Sequence, residues 1–315
     1  MPRLSLSLGL RRAQRALASI ARRKGPRSGL RMGLAGLAAA VAMAAGAPAS
    51  ALPARLSADL PATSTWNVGV FSPLRWVVRD GLELETHPLI TLVAPHLTAR
   101  VRHVRSDALR VTGEYGIGLP TTAFALAPPG VAGYLGPSCK VFDAEPDRAP
   151  GSCERPGAVL TLSAGVLASI GEQAVTTGKL DVTYGVLLGD SRGRPTDTWP
   201  ILDNQLAPIF RAWRAHVMVR HDRPLHERVR LSGELHVWQV GRVDNDSDDR
   251  SLTTFGAHVG LDVGLGAHSR ATLGALYTNA DSRATEVVDD KDGFSKRVFV
   301  RSHDVWPTLD VMWTF

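Results

Sequence analysis

The sequence predicts an all-β fold: a transmembrane antiparallel up-and-down β-barrel of about twelve strands, with ten as the fallback. Three observations carry this. In the last stretch, Phe315, Trp313, Val311 and Leu309 share one face of a strand, and Thr314, Met312, Asp310 and Thr308 share the other. Apolar–polar alternation of period two recurs along the chain in segments of about 9–13 residues, the length that crosses a bilayer as tilted strands. The connections between these segments alternate between short and long, as in barrels with short turns on one side of the membrane and long loops on the other.

The elements follow in order. Strands are expected near 66–72, 75–79 and 82–90, the first two being the least patterned. The third alternates Leu82 and Leu84 with Glu83 and Glu85. In 97–104, Leu97, Ala99 and Val101 oppose Thr98, Arg100 and Arg102. In 109–119, Leu109, Val111, Tyr115 and Ile117 oppose Arg110, Thr112 and Glu114. Strand 158–168 sets Leu160, Leu162 and Val166 against Thr161 and Ser163, and 179–189 sets Leu180, Val182 and Tyr184 against Asp181 and Thr183. Strand 212–220 opposes Trp213, Val217 and Val219 to Arg214, His216 and Arg220. Strand 229–241 opposes Val229, Leu231, Leu235 and Val237 to Arg230, Ser232, Glu234 and His236. The alternation is strictest in 253–265, where Phe255, Ala257, Val259, Leu261 and Val263 oppose His258, Asp262 and glycines. Strands 271–279 and 303–315 complete the set. Soluble β-sandwiches also alternate, but here charge and glycine fall in mid-strand on the polar face, which a polar lumen tolerates. An even strand number puts both termini on the side of the short turns, in the periplasm.

Composition alone points elsewhere. The net charge is +6 over 315 residues and the isoelectric point about 9.7. The excess sits in residues 1–51, which hold nine Lys/Arg and no Asp or Glu, and the remainder has 27 basic against 30 acidic residues. The basicity therefore argues for no nucleic-acid partner. A basic region ending at Arg31, an uncharged run from Met32 to Gly46 and the small-x-small triplet Ala49-Ser50-Ala51 have the layout of a secretory signal peptide cut after Ala51. The expected organisation is a signal peptide at 1–51, a short periplasmic segment at 52–64 and a barrel at 65–315. After residue 51 no stretch is apolar for long enough to be a membrane helix.

Cys139 and Cys153, with thirteen residues between them in a segment rich in Pro and Gly, are expected to form a disulfide in an oxidising compartment, worth about 3 kcal/mol in the chain-entropy model. Two free thiols are the alternative; two cysteines are too few for a metal centre.

The leader, the alternating strands and the terminal Trp313-Thr314-Phe315 together resemble Gram-negative outer-membrane β-barrel proteins, of the small porin- or transporter-like kind. Trp76-Val77-Val78-Arg79-Asp80-Gly81-Leu82-Glu83-Leu84 is similar to a hairpin common in such barrels. The resemblance implies localisation in the outer membrane among lipid and lipopolysaccharide. It also implies insertion by the barrel-assembly machinery, with Trp313 and Phe315 as the assembly signal, and often the passage of small polar solutes.

The candidate functional residues are the charged ones on the polar face: Glu83, Glu85, Arg100, Arg102, Arg110, Glu114, Arg214, His216, Arg230, Glu234, His236, Asp262 and Asp310, with Asp181, Arg220 and His258 beside them. In a pore such groups set ion preference and bind polar solutes; mutual salt bridges that fill the lumen are the alternative. Arg100, Arg102 and Arg110 could form a basic ladder for an anion, against pairing with Glu83, Glu85 and Glu114. Asp244-Asn245-Asp246-Ser247-Asp248-Asp249 opens like a calcium loop, but Asp249 and Phe255 stand where an EF-hand needs Gly and Glu. No nucleophile elbow, zinc helix or P-loop is present, so neither catalysis nor a cofactor or metal is expected. The leading expectation is a channel or uptake pore working by passive diffusion. A plugged barrel serving as a receptor, adhesin or structural protein is second, and an outer-membrane hydrolase third.

Overall fold

The computed structural model describes residues 53–61, 65–92, 94–122, 157–189, 200–242, 251–289 and 295–315. The leader, Cys139, Cys153 and the Asp244–Asp249 stretch lie outside them.

Twelve strands close into one antiparallel barrel in which each pairs with its chain neighbours and β1 pairs with β12. They are β1 (Trp66–Gly69), β2 (Leu74–Arg79), β3 (Leu82–Thr86), β4 (His96–Arg105), β5 (Leu109–Gly118), β6 (Val159–Ile170), β7 (Val175–Leu187), β8 (Trp213–His226), β9 (Val229–Val240), β10 (Thr253–Gly264), β11 (Ser269–Asp289) and β12 (Ser295–Thr314). Closure uses the end of the chain. Asn67, Val68 and Gly69 pair with Thr314, Trp313 and Met312, and the Trp66 and Phe315 backbones exchange hydrogen bonds of 3.0 and 2.8 Å.

Period two puts the two sets of side chains on opposite faces. Outward-pointing Leu235, Leu273 and Val305 are 59%, 53% and 69% exposed, while inward Arg100, Glu83 and Asp262 are each 1% exposed. An apolar outside around a charged inside inverts the pattern of a water-soluble protein. Lipid is the solvent that satisfies the first, and the barrel hydrogen-bonds its own backbone. Trp66 and Trp76 stack at 5.0 Å on the outward side, and Tyr184, Trp313 and Phe315 are exposed there. Trp306 shares the inward parity of Thr308 and Asp310.

Three expectations change. β1 and β3 are shorter than the 66–72 and 82–90 expected, while β2 keeps close to 75–79; with four, six and five residues the first three strands fall below the 9–11 a spanning strand needs. The wall is therefore low there, and the turn after β1 bends inward, where Asp310 accepts from the Phe71 N–H (3.0 Å) and Ser72 Oγ. Pro307, which has no N–H to give, lies on β12 above the height where β1 stops. Second, the stretch 279–302, expected as a long loop, is mostly strand, paired from Ser269↔Trp313 up to Asp289↔Ser295 with one irregularity between Asp281 and Thr285. Third, the long connection after β7 contains a helix, α2 (Pro200–Phe210); the shorter α1 is Pro88–Thr91.

The tight turns match the expected side of the barrel. At Asp80-Gly81, Gly81 has φ 79°, which favours glycine, and the exposed Asp80 accepts from Arg102 Nη1 at 2.7 Å. That bond and the Arg102 charge hold the Asp80 carboxyl below its ordinary 3.8. A depressed folded value stabilises the fold above the unfolded pKa and is lost as pH falls through the folded one. Asp80→Asn is thus expected to lower the urea midpoint slightly at pH 7 and not at all in strong acid. A gap that stays constant from pH 7 to pH 2 would refute this.

Candidate functional site

The inward side chains form a belt around the lumen. On β2 and β3, Arg75 Nε bonds Glu85 Oε2 at 2.9 Å. Arg100 on β4 donates to Glu83 (2.5 Å) and Glu114 (3.1 Å), and Lys179 on β7 joins Glu114 (2.7 Å) to Asp181 (3.5 Å). From Asp181 the belt runs through His216 (3.0 Å) to His236 (3.1 Å) and on to Glu234 (3.1 Å). Arg220 binds Glu234 at 2.5 Å and grips Asp222 with both arms at 2.6 and 2.7 Å, with Asp262 at 3.9 Å. Asp262 accepts from Thr272; Arg55 then bonds Thr272 (2.9 Å), Ser72 and Asp310. Arg75 joins this end of the belt by donating to the Arg55 carbonyl at 3.3 Å.

Two glycines let the belt close. A Cβ at Gly274 would sit 2.7 Å from both His258 Nε2 and Thr308 Oγ1, the 2.9 Å bond that crosses β11. A Cβ at Gly256 would strike the Trp238 ring at 2.7 Å. Mid-strand glycine on the polar face therefore marks side chains that reach over a neighbouring strand.

The basic ladder does not form. Arg100, Arg102 and Arg110 are paired with Glu83 and Glu114, with Asp80, and with Asp59 (3.0 Å). Glu85 pairs with Arg75, which the alternation did not single out. Arg230 donates to the Gln173 carbonyl of the β6–β7 turn at 2.7 Å, and Arg214 bonds Gln205 of α2 at 2.7 Å. Trp313 and Phe315 sit at the closing seam. Lys179 opens the expected strand 179–189 at the parity of Asp181, and Asp222 lies two residues past the expected 212–220 at the parity of Arg220; carrying the alternation through both positions would have found them.

Both ends of the lumen hold further chain. The described part of 52–64, expected as a short periplasmic lead-in, docks inside the end bearing the short turns, mostly through its backbone. The carbonyls of Pro53, Arg55, Ser57, Ala58 and Leu60 accept from Arg270 (3.0 Å), Arg75 (3.3 Å), Arg100 (2.7 Å), Thr112 (2.6 Å) and Arg102 (3.3 Å). The Ala58 N–H donates to Ser169 Oγ at 2.8 Å. At the other end α2 crosses the lumen: Ile209 and Phe210 pack with Val159, Leu187 and Leu206, and Asn204 donates to Thr254 at 2.9 Å. Among the described residues no His, Cys, Asp and Glu cluster has metal-binding geometry.

Asp310 ties the low wall to the docked segment. Asp310→Asn is expected to cost about 1.5–3 kcal/mol, the worth of hydrogen bonds to a charged group. It should also lower the temperature at which the folded gel band converts to the unfolded one. An unchanged conversion temperature would show that the contacts to Phe71, Ser72 and Arg55 do not hold the wall.

No protein-family model matches the sequence, and no curated protein sequence matches it. Solved structures similar to it are outer-membrane barrels. OmpT of Vibrio cholerae is 9% identical, with TM-score 0.40 over 81% of this chain and 62% of that one. An anion-selective porin from Comamonas acidovorans is 10% identical, with TM-score 0.38 over 77% of this chain and 58% of that one. An outer-membrane channel from Pseudomonas putida F1 is 10% identical, with TM-score 0.41 over 84% of this chain and all of that one. The chain spans about three-fifths of the length of the Vibrio and Comamonas proteins. What the chain's own structure shows is narrower. It is a closed twelve-strand antiparallel β-barrel with an apolar outer face.

Proposed function

We infer that the protein is a small outer-membrane channel for polar solutes, not an enzyme, and that the described state is closed. One observation carries the reading. A separate segment, 53–61, sits in the mouth on the side of the short turns, held by hydrogen bonds and ion pairs, while the wall behind it is complete without it. If the leader is cut after Ala51, as its sequence suggests, that segment is a free end and can be withdrawn without unfolding the barrel. Behind it lies a belt of both charge signs, the kind of lining that selects small ions and polar solutes. Insertion by the barrel-assembly machinery through Trp313 and Phe315, and contact with lipopolysaccharide, belong to the same reading.

The burial of Arg100, Glu83 and Asp222 favours a second reading, a permanently plugged barrel acting through its outer loops. Planar-bilayer recording of the refolded mature chain and of a chain lacking residues 53–61 separates the two. Conductance steps that are larger or more frequent in the truncated chain support the channel. Silence from both, with both running as folded bands on gels, leaves the plugged barrel.

A further inference from the structure

The mouth on the side of the short turns carries a group of arginines on β4 and β5. Arg102 and Arg110 point inward by their period. A register shift between Arg102 and Val104 turns Arg105 to the same face, directly opposite Arg110. Strict alternation from Arg102 would have put Arg105 on the outside. Like charges placed directly opposite across two strands are destabilising, and they call for an anion beside them.

The wall offers little negative charge at this level. Arg102 meets Asp80 of the β2–β3 turn at 2.7 Å, an exposed carboxylate. Arg100, one step farther in, is taken up by Glu83 and Glu114. Among the described residues neither Arg105 nor Asp107, in the turn between the two strands, makes an ion pair. The docked segment supplies what the wall lacks. Asp59 lays its carboxylate on Arg110 at 3.0 Å, the one ion pair that Arg110 makes among the described residues. Beside it the Leu60 carbonyl accepts from Arg102 at 3.3 Å and the Ala58 carbonyl accepts from Thr112 at 2.6 Å. Arg110 also donates to the Gly171 carbonyl, and its Nε is buried with no hydrogen-bond partner, so the guanidinium has a donor to spare. Oxygens of one short stretch of chain, one of them charged, thus sit on donors from two adjacent strands. Guanidinium forks bind carboxylate and phosphate in this way, through paired N–H groups.

We propose that Arg102, Arg105, Arg110 and Thr112 form a binding site for a small oxyanion, a phosphate or a carboxylate, and that Asp59 occupies it in the described state as a built-in competitor. An incoming anion takes the Arg110 guanidinium from Asp59 and brings negative charge to Arg105, which the segment leaves unpaired. Its several oxygens reach more than one of these donors, which a chloride ion does not. The site names the solute class for the channel reading, and it rests on that reading in so far as residues 53–61 must give way.

The test is isothermal titration calorimetry of the refolded chain in an uncharged detergent. Inorganic phosphate and, separately, succinate are titrated against a chloride background of equal ionic strength. Asp59→Ala removes the competitor and should tighten the binding of at least one of the two about tenfold, the worth of one charge-assisted hydrogen bond. Which of the two responds tells a phosphate site from a carboxylate site. Arg110→Gln added to Asp59→Ala should abolish the binding, and Arg105→Gln, at the exposed rim, should weaken it in the same background. Equal affinity in the unmodified and Asp59→Ala chains, or binding that survives Arg110→Gln, would overturn the proposal. If the Arg110 double variant gives no folded band on gels, Arg105→Gln decides in its place, and unchanged binding there overturns the site. Binding without conductance in the bilayer recordings keeps the site and removes the channel; conductance without binding keeps the channel and removes the site.

Discussion

Arg220→Met is expected to destabilise the barrel by about 3–5 kcal/mol, the range for removing one partner of a buried charge pair. Arg220 serves Asp222, Glu234 and Asp262, and Asp222 and Asp262 are almost wholly enclosed, at 0% and 1% exposed. Without the guanidinium, three carboxylates face one another in a space with little water. The loss should appear as a lower urea midpoint for unfolding from lipid vesicles. Arg220→Lys should fall between, because an ammonium keeps the charge but not the fork that binds both oxygens of Asp222. Arg220→Met with Asp222→Asn should lose less than the two single changes added together, since the second removes a charge that the first strands. A loss below about 1 kcal/mol for Arg220→Met would mean that water reaches this site freely and that the belt is solvated.

Removing residues 53–61 is expected to turn a closed or rarely open barrel into one with resolved conductance steps, while the barrel itself survives. Six hydrogen bonds to the segment's backbone are lost, along with the ion pairs Arg55–Asp310 and Asp59–Arg110. Two of these bonds are neutral, worth about 1 kcal/mol net each, and four come from arginines, worth about 1.5–3 kcal/mol each, while ordering each of the nine residues costs about 1–2 kcal/mol. Docking is thus a near balance and little of the barrel's stability rests on it. Arg100 keeps Glu83 and Glu114, and β1–β12 closure does not involve the segment. Thr112→Val, which removes the 2.6 Å bond to the Ala58 carbonyl, should shift the recordings in the same direction by a smaller amount. A synthetic peptide of residues 53–61 added to the truncated chain should restore closure, because the wall reads main-chain groups. Steps of equal size and frequency in the full and truncated chains would show that the segment does not limit passage.

Those backbone contacts also explain what could not be read in advance. A segment recognised through its carbonyls shows no periodicity and no motif, because every residue has the same backbone. Helix α2 was hidden differently: Pro200 and Pro208 read as loop, and only the lumen's apolar patch at Val159 and Leu187 gives Ile209 and Phe210 a place to fold against. Period two assigns Arg100, Glu114 and His236 to a face but says nothing of which lies beside which, since partners come from register and from how far side chains reach across strands. Trp238 was counted with no group, yet it covers the histidine pair.

Alternation and chain order are local, and the barrel, its strand number, the side of its short turns and the two faces of its strands all follow from them. That the polar face is a paired belt, that β1–β3 are too short to span, and that chain occupies both ends of the lumen emerges only when the ring closes. Those outcomes depend on which atoms come within about 3 Å across a closed ring, and contacts between residues more than two hundred positions apart, such as Arg55 with Asp310, leave no mark in the local pattern.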